Sequence, residues 1–227
     1  MIVERTKLLA ERDEIRSKIL GMGQDSVNLL NQFMEALVHL DIARAENIIN
    51  GDEHFNHLYQ SIHDECIVMI ARQQPVASDL REVISDLQIA IELERIADHI
   101  ASVARIVHTL SVAAIPPVWE DIINMVRRTS EMMSNMLIAY SEMDVKKAEA
   151  IATSDDDIDT MDSQIVTEII AHMKSNSETI ENGTHLIWLV HDIERIADRV
   201  TNIGEQIVFN VSGKIADWNV SKDKVSQ

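Results

Sequence analysis

Apolar residues recur at helical spacing along nearly the whole chain. The first helix is predicted over about Glu4–His39, with Val27, Leu30, Phe33, Met34, Leu37 and Val38 in step and Gly21 and Gly23 as weak points near its middle. Asp41 is placed as an N-cap before a short helix through Ile49, closed by Asn50-Gly51. A second long helix starts at Asp52, carries Phe55, Leu58, Ile62, Cys66 and Met69, and stops at Pro75. The third begins within Pro75–Asp79 and runs past Val107, with Leu80, Ile84, Leu87, Ile91, Glu94, Asp98 and Ala101 on one stripe.

After Pro116-Pro117 the pattern returns. Helices are predicted over Val118–Met143, from an Asp144 cap through Ala152, over Asp155–Lys174, and from Glu178 to Val211 with Gly213 as terminator. The repetition is also literal. Glu94-Arg95-Ile96-Ala97-Asp98 recurs as Glu194-Arg195-Ile196-Ala197-Asp198, offset by 100 residues, with Glu92-Leu93 matched by Asp192-Ile193. The expected fold class is therefore all-α: two tandem, internally repeated antiparallel three-helix bundles, over residues 1–114 and 117–213, with a polar, fraying tail at 214–227.

Composition narrows the function. Few Gly (6) and Pro (3) and 4 % aromatics suit helices rather than a sandwich or barrel. A formal net charge of -18 repels nucleic acid and anionic lipid and suits metal cations or a basic partner surface. The Met-rich helices, including Met132-Met133 and Met136, are read as core, with a partner-binding face as the other use. Cys66 lies in an apolar run, is read as core, and as the only cysteine points to a reducing compartment. The opening residues lack a signal-type apolar run, and the longest uncharged stretch, Ile106 to Trp119, is too short to span a bilayer. A soluble cytoplasmic protein without a transmembrane segment is expected. No Gly-x-x-x-x-Gly-Lys loop, Gly-x-Ser-x-Gly elbow, Cys-x-x-Cys or Glu-x-x-His pair occurs, so an enzyme is not expected.

The candidate chemistry sits on the stripe. Glu94 and Asp98 are four residues apart, about 6 Å along a helix, where like charges repel. Folding the second long helix back about Pro75 brings Asp52 level with Asp98 and Asn56 level with Glu94. The same fold about Asn176-Ser177 brings Asp155 level with Asp198 and Asp159 level with Glu194, with Asn202 one turn further. Such all-oxygen sets suit a hard cation: Fe³⁺, Mg²⁺, Mn²⁺ or Ca²⁺. The competing explanation is a solvated acidic face bonded to Arg95 and Arg195. Those arginines are expected to pair with Glu92 and Asp192 three residues earlier, or else to orient the carboxylates. His191 lies on the ligand side of the second set, but Ile91 is its counterpart. His54, His57, His63 and His99 are expected at the surface or rim.

Several motifs in order resemble the PhoU family of phosphate-uptake regulators: Pro75-Val76-Ala77-Ser78-Asp79-Leu80-Arg81, Leu93–His99, Ile193–Asp198, Thr201-Asn202-Ile203-Gly204-Glu205 and Val208–Gly213. The likeness runs from about Lys7 to Gly213. It implies metal sites on the Glu-x-x-x-Asp motifs, Glu94/Asp98 and Glu194/Asp198, with Asp52/Asn56 and Asp155/Asp159 facing them, and iron or zinc as the metal. It also implies a cytoplasmic homodimeric adaptor between the ATPase of a phosphate ABC transporter and a sensor histidine kinase, damping the phosphate-starvation response. Asn56 and Ser102 stand where the family has Asp and Asn, and Ala97 and Ala197 where it commonly has Gly. The alternatives are a metal-dependent phosphohydrolase using the carboxylate clusters and a metal-free helical scaffold.

Overall fold

The computed structural model describes the backbone of residues 2–110 and 116–218 and the side chains of residues 7–110 and 116–218. Eight α-helices follow in order among the described residues: α1 Ile2–His39, α2 Ile42–Asn50, α3 Asp52–Gln73, α4 Ser78–Val107, α5 Trp119–Glu142, α6 Val145–Ala152, α7 Asp155–Ser175 and α8 Ile180–Ser212, with a 3-10 turn at Ser177–Thr179. Each repeat therefore has three long helices and one short one.

The two repeats are punctuated alike. Leu40 and Met143 take left-handed backbone, φ 48° and 51°. The Asp that follows then caps the short helix: Arg44 N donates to Asp41 Oδ1 at 3.0 Å, and Lys147 N to Asp144 Oδ1 at 3.1 Å. Gly51 closes α2, as expected, in right-handed backbone. Its φ is -78°, so the chain kinks directly into α3. The stop at Pro75 is as read, with Gln74 left-handed at φ 48° and its N–H bonded to Ile70 O.

α1 continues through both central glycines. At Gly23 α1 lies tight against α5: a Cβ there would collide with the Leu137 side chain. Gly21 faces open space.

The repeats share one core. α4 packs on α1, α2, α3 and α8; α8 packs on α4, α5, α6 and α7; α1 also packs on α5. Phe33, Ile62, Cys66, Leu93, Ile96, Met133, Met136, Leu189 and Ile196 belong to one continuous buried cluster. The methionines of α5 fill this core: Met125, Met132, Met133 and Met136 are all buried. The Met-rich partner-binding face considered from sequence is thus not at the surface. Burial pushes the Cys66 thiol up to about 12, with Asp86 and Glu65 adding to it, which suits an inert core residue.

Two further expectations change. The stripe Leu80–Asp98 is the rim of the core: Leu80, Ile84 and Asp98 are exposed, while Val83, Ile89, Leu93, Ile96, Ala97 and Ile100 face inward. Residues 214–218 of the expected fraying tail return to the fold instead, and residues 219–227 lie outside the described residues. After Gly213, left-handed at φ 72°, the chain doubles back, and Trp218 packs against the core. Trp218 N donates to Glu205 Oε1 at 2.6 Å, and its ring lies beside Gly204 and Met136. No described helix is long and apolar enough to cross a membrane.

Candidate metal centres

Both carboxylate sets form where helices α3–α4 and α7–α8 fold back on each other. On the second hairpin, His191 Nδ1 lies 2.8 Å from Asp162 Oδ1, which fixes a register that sets Asp159 level with Glu194 one turn away. Glu194 is half-buried and its carboxyl is pushed up to about 7, by burial first and then by the charges of Asp198, Asp159, Asp162 and Asp155. Asp155, at the start of α7, is 1 % exposed.

The first hairpin carries one carboxylate fewer, with Asn56 in the place of Asp159. Burial raises the Asp52 carboxyl, and Asp98 opposite adds charge repulsion and a shared hydrogen bond. Glu94 is raised by burial, then by Asp98 and Asp52, while Arg95 pulls it down. Asn56 is half-buried and neutral, and Asp98 is exposed.

These donors fit a hard cation in chemistry, being all oxygen. Carboxylates are crowded against one another in half-buried places, and Asp52 Oδ1 is buried without a hydrogen-bond partner. Among the described residues no group of three or more His, Cys, Asp or Glu side chains is closed enough to hold a metal ion as it stands, so convergence of the side chains is the step that binding would add. Sequence reasoning missed Asp162, which joins the field around Glu194. It lies three residues after Asp159 and level with His191, so the hairpin register pointed to it.

It also missed what lies between the two sets. The antiparallel helices α4 and α8 are tied by crossed polar contacts. Asp192 lies 3.2 Å from His99 Nδ1 and accepts from Ser102 Oγ at 3.0 Å. Glu92 Oε2 accepts from Arg199 Nη1 at 3.4 Å and from Asn202 Nδ2 at 3.2 Å. Position 92 of the first repeat thus meets 199 and 202 of the second, and positions 99 and 102 both meet 192. Ile96, Ala97, Ile196 and Ala197 fall midway between the two sets of contacts, all at 0 % exposure. The repeated motif therefore has two faces: Ile-Ala closes the crossing, and Glu-x-x-x-Asp looks to the outer hairpins.

Asn202, expected one turn beyond the second carboxylate set, turns its amide to Glu92 of the other repeat. Arg195 keeps its expected partner, Asp192, at 3.4 Å, whereas Glu92 is held by Arg199 and Asn202. Burial raises the Asp192 carboxyl, but hydrogen bonds from His99 and Ser102, with the charges of His99 and Arg195, outweigh it and leave it below the usual range.

Fold and site together define a class: an all-helical protein of two fused repeats, with an acidic hairpin face on each. A family profile described as the PhoU domain matches twice, over residues 19–107 and 122–207. The chain belongs to the PhoU family. It is 34 % identical over 215 residues to the phosphate-specific transport system accessory protein PhoU homolog of Streptococcus pneumoniae serotype 4, covering 95 % of this chain and all of that one. It is 31 % identical over 205 residues to phosphate-specific transport system accessory protein PhoU of Escherichia coli K12, covering 90 % and 85 %. Among solved structures, the phosphate transport system regulatory protein PhoU from Streptococcus pneumoniae superposes with TM-score 0.88 at 32 % identity, over 92 % of this chain and 99 % of that one. PhoU from Pseudomonas aeruginosa gives TM-score 0.86 at 30 % identity, over 90 % and 99 %.

Proposed function

We propose that this chain is a metal-binding accessory protein of phosphate uptake. It acts without catalysis, as a cytoplasmic homodimer, between the ATPase of a phosphate ABC transporter and a sensor histidine kinase, and it holds the starvation response down when phosphate is plentiful. Family membership and the names of its relatives support the link to phosphate transport. The observation that carries the metal reading is the field of four carboxylates around Glu194.

In this reading Asp155, Asp159, Glu194 and Asp198 hold an ion on the second repeat, and Asp52, Asn56, Glu94 and Asp98 on the first. Iron and zinc are the metals the family resemblance implies, and the oxygen donors also suit manganese, magnesium or calcium. A bound cation would neutralise the mutual repulsion of these side chains and lock each hairpin. Arg95, beside Glu94, tempers that repulsion from within the helix.

The test is made in cells lacking the chain and fed ample phosphate, where starvation-induced phosphatase should stay on. Wild-type chain should silence it, and a Glu194→Gln/Asp198→Asn variant of equal abundance should not. Silencing by that variant would remove the metal site from the function. Phosphomonoester turnover by purified protein, lost on Asp198→Ala, would instead establish the phosphohydrolase.

A further inference from the structure

The crossing of α4 and α8 lies between the two carboxylate sets, and its polar contacts join them in a specific way. His99 follows Asp98 directly and reaches Asp192, two residues before Glu194. Arg199 follows Asp198 directly and reaches Glu92, two residues before Glu94. Each repeat thus grips the other's site-bearing helix within one turn of its carboxylates.

We propose that Glu92 and Asp192 are positioning residues that couple the two sites, so that an ion on one repeat strengthens binding on the other. The proposal rests on the metal reading above. Its physical basis is direction and slack. The first set of carboxylates faces α3 and the second faces α7, and these helices pack on α4 and α8 respectively. Closing a site draws α4 towards α3, or α8 towards α7, and either movement pulls on the crossing. Three of the four contacts there measure 3.2–3.4 Å, at or beyond the long end of the usual range, so a shift of a fraction of an ångström weakens them. The first ion bears the cost of loosening the crossing, and the second binds to a helix pair already loosened. That ordering gives positive cooperativity.

The buried setting makes the effect sizeable. Glu92 is 8 % exposed, and the apolar centre between the contacts is fully buried, so the helices move as rigid, close-packed bodies. A role confined to stability would leave the two sites independent.

The experiment titrates Mn²⁺ and, separately, Zn²⁺ into full-length metal-free protein by calorimetry. Asp98→Asn and Asp198→Asn each disable one site, so the affinity of either can be measured with the other empty. In the wild type, either site should bind about five-fold or more tightly when the other is filled. In Glu92→Gln/Asp192→Asn both sites should still bind and that factor should fall to about one. Independent sites in the wild type, or a factor unchanged in the double variant, would overturn the proposal.

If neither ion binds, the metal reading fails and the coupling is judged without metal. Urea unfolding should then show non-additive effects of Asp98→Asn and Asp198→Asn in the wild type, and additive ones in Glu92→Gln/Asp192→Asn. Additivity in both backgrounds would overturn the coupling on its own account.

Discussion

Asp86 is 1 % exposed at a junction of the repeats. Tyr140 Oη donates to its Oδ1 at 2.6 Å, and Arg16 Nη2 donates to the backbone carbonyls of Tyr140 and Ser141 at 2.8 and 3.0 Å. Burial pushes the Asp86 carboxyl up to about 6; Tyr140's hydrogen bond opposes this, Glu82 adds to it, and Arg16 and Arg12 reduce it. The unfolded chain would lose that proton near pH 3.9. Between the two values the folded state holds the proton more tightly, so this group's contribution to stability is greatest below about pH 4 and declines as pH rises through 6, by at most about 3 kcal/mol. Glu194, pushed to about 7, has the same sign. Asp86→Asn keeps an acceptor for Tyr140 without the buried charge. It should raise stability at pH 8 by about 1–2 kcal/mol and flatten part of the pH slope in urea unfolding. Asp86→Ala strands the Tyr140 hydroxyl and should cost about 1–3 kcal/mol. Equal losses in both variants would show that the charge itself is needed.

Individual elements were legible where their causes are local. The caps at Asp41 and Asp144, the stop at Pro75 and the hairpin registers follow from a few neighbouring residues, and the structure places them as read. What could not be read depends on distant partners. Glu92 looked like half of an i,i+3 pair with Arg95, but its partners are over 100 residues away on another helix. Trp218 looked like part of a loose tail because its seat, beside Gly204 and Met136, exists only after folding. The glycines of α1 make the same point and can be tested. Gly21→Ala meets nothing and should stabilise by about 0.5–1 kcal/mol through helix propensity alone. Gly23→Ala gains the same propensity but forces Leu137, 8 % exposed, out of its place; the net should be a loss of about 1–2 kcal/mol. Urea midpoints that move the same way for both would contradict this account of the α1–α5 contact.

At the scale of the molecule, the two repeats are alike in architecture and unequal in charge. The second hairpin offers Asp155, Asp159, Glu194 and Asp198, with Asp162 adding to the field, whereas the first offers three carboxylates and the neutral Asn56. For hard cations affinity follows ligand charge, so the second site is expected to bind more tightly. Titration of Mn²⁺ should lose its tightest step in Asp198→Asn and keep it in Asp98→Asn; the reverse result would invert the ranking. The charge of -18 also predicts no salt-sensitive DNA binding in a gel-shift assay; a robust shift lost at high salt would contradict it.

The shared core has a consequence for how the chain is made. α4 is complete by Val107, yet the helix that covers its inner face at Ile96, Ala97 and Ile100 begins only at Ile180. During synthesis the first repeat therefore emerges with a bare apolar stripe, and the ribosome must add nearly the whole second repeat before that stripe is shielded. Native contacts so distant in sequence slow folding and leave the nascent chain sticky meanwhile. A released fragment of residues 1–110 carries the same stripe and one half of the crossing. It should satisfy both by pairing with a second copy, α4 against α4 about a true two-fold axis. Sedimentation of that fragment as a folded monomer would show that the stripe tolerates water after all.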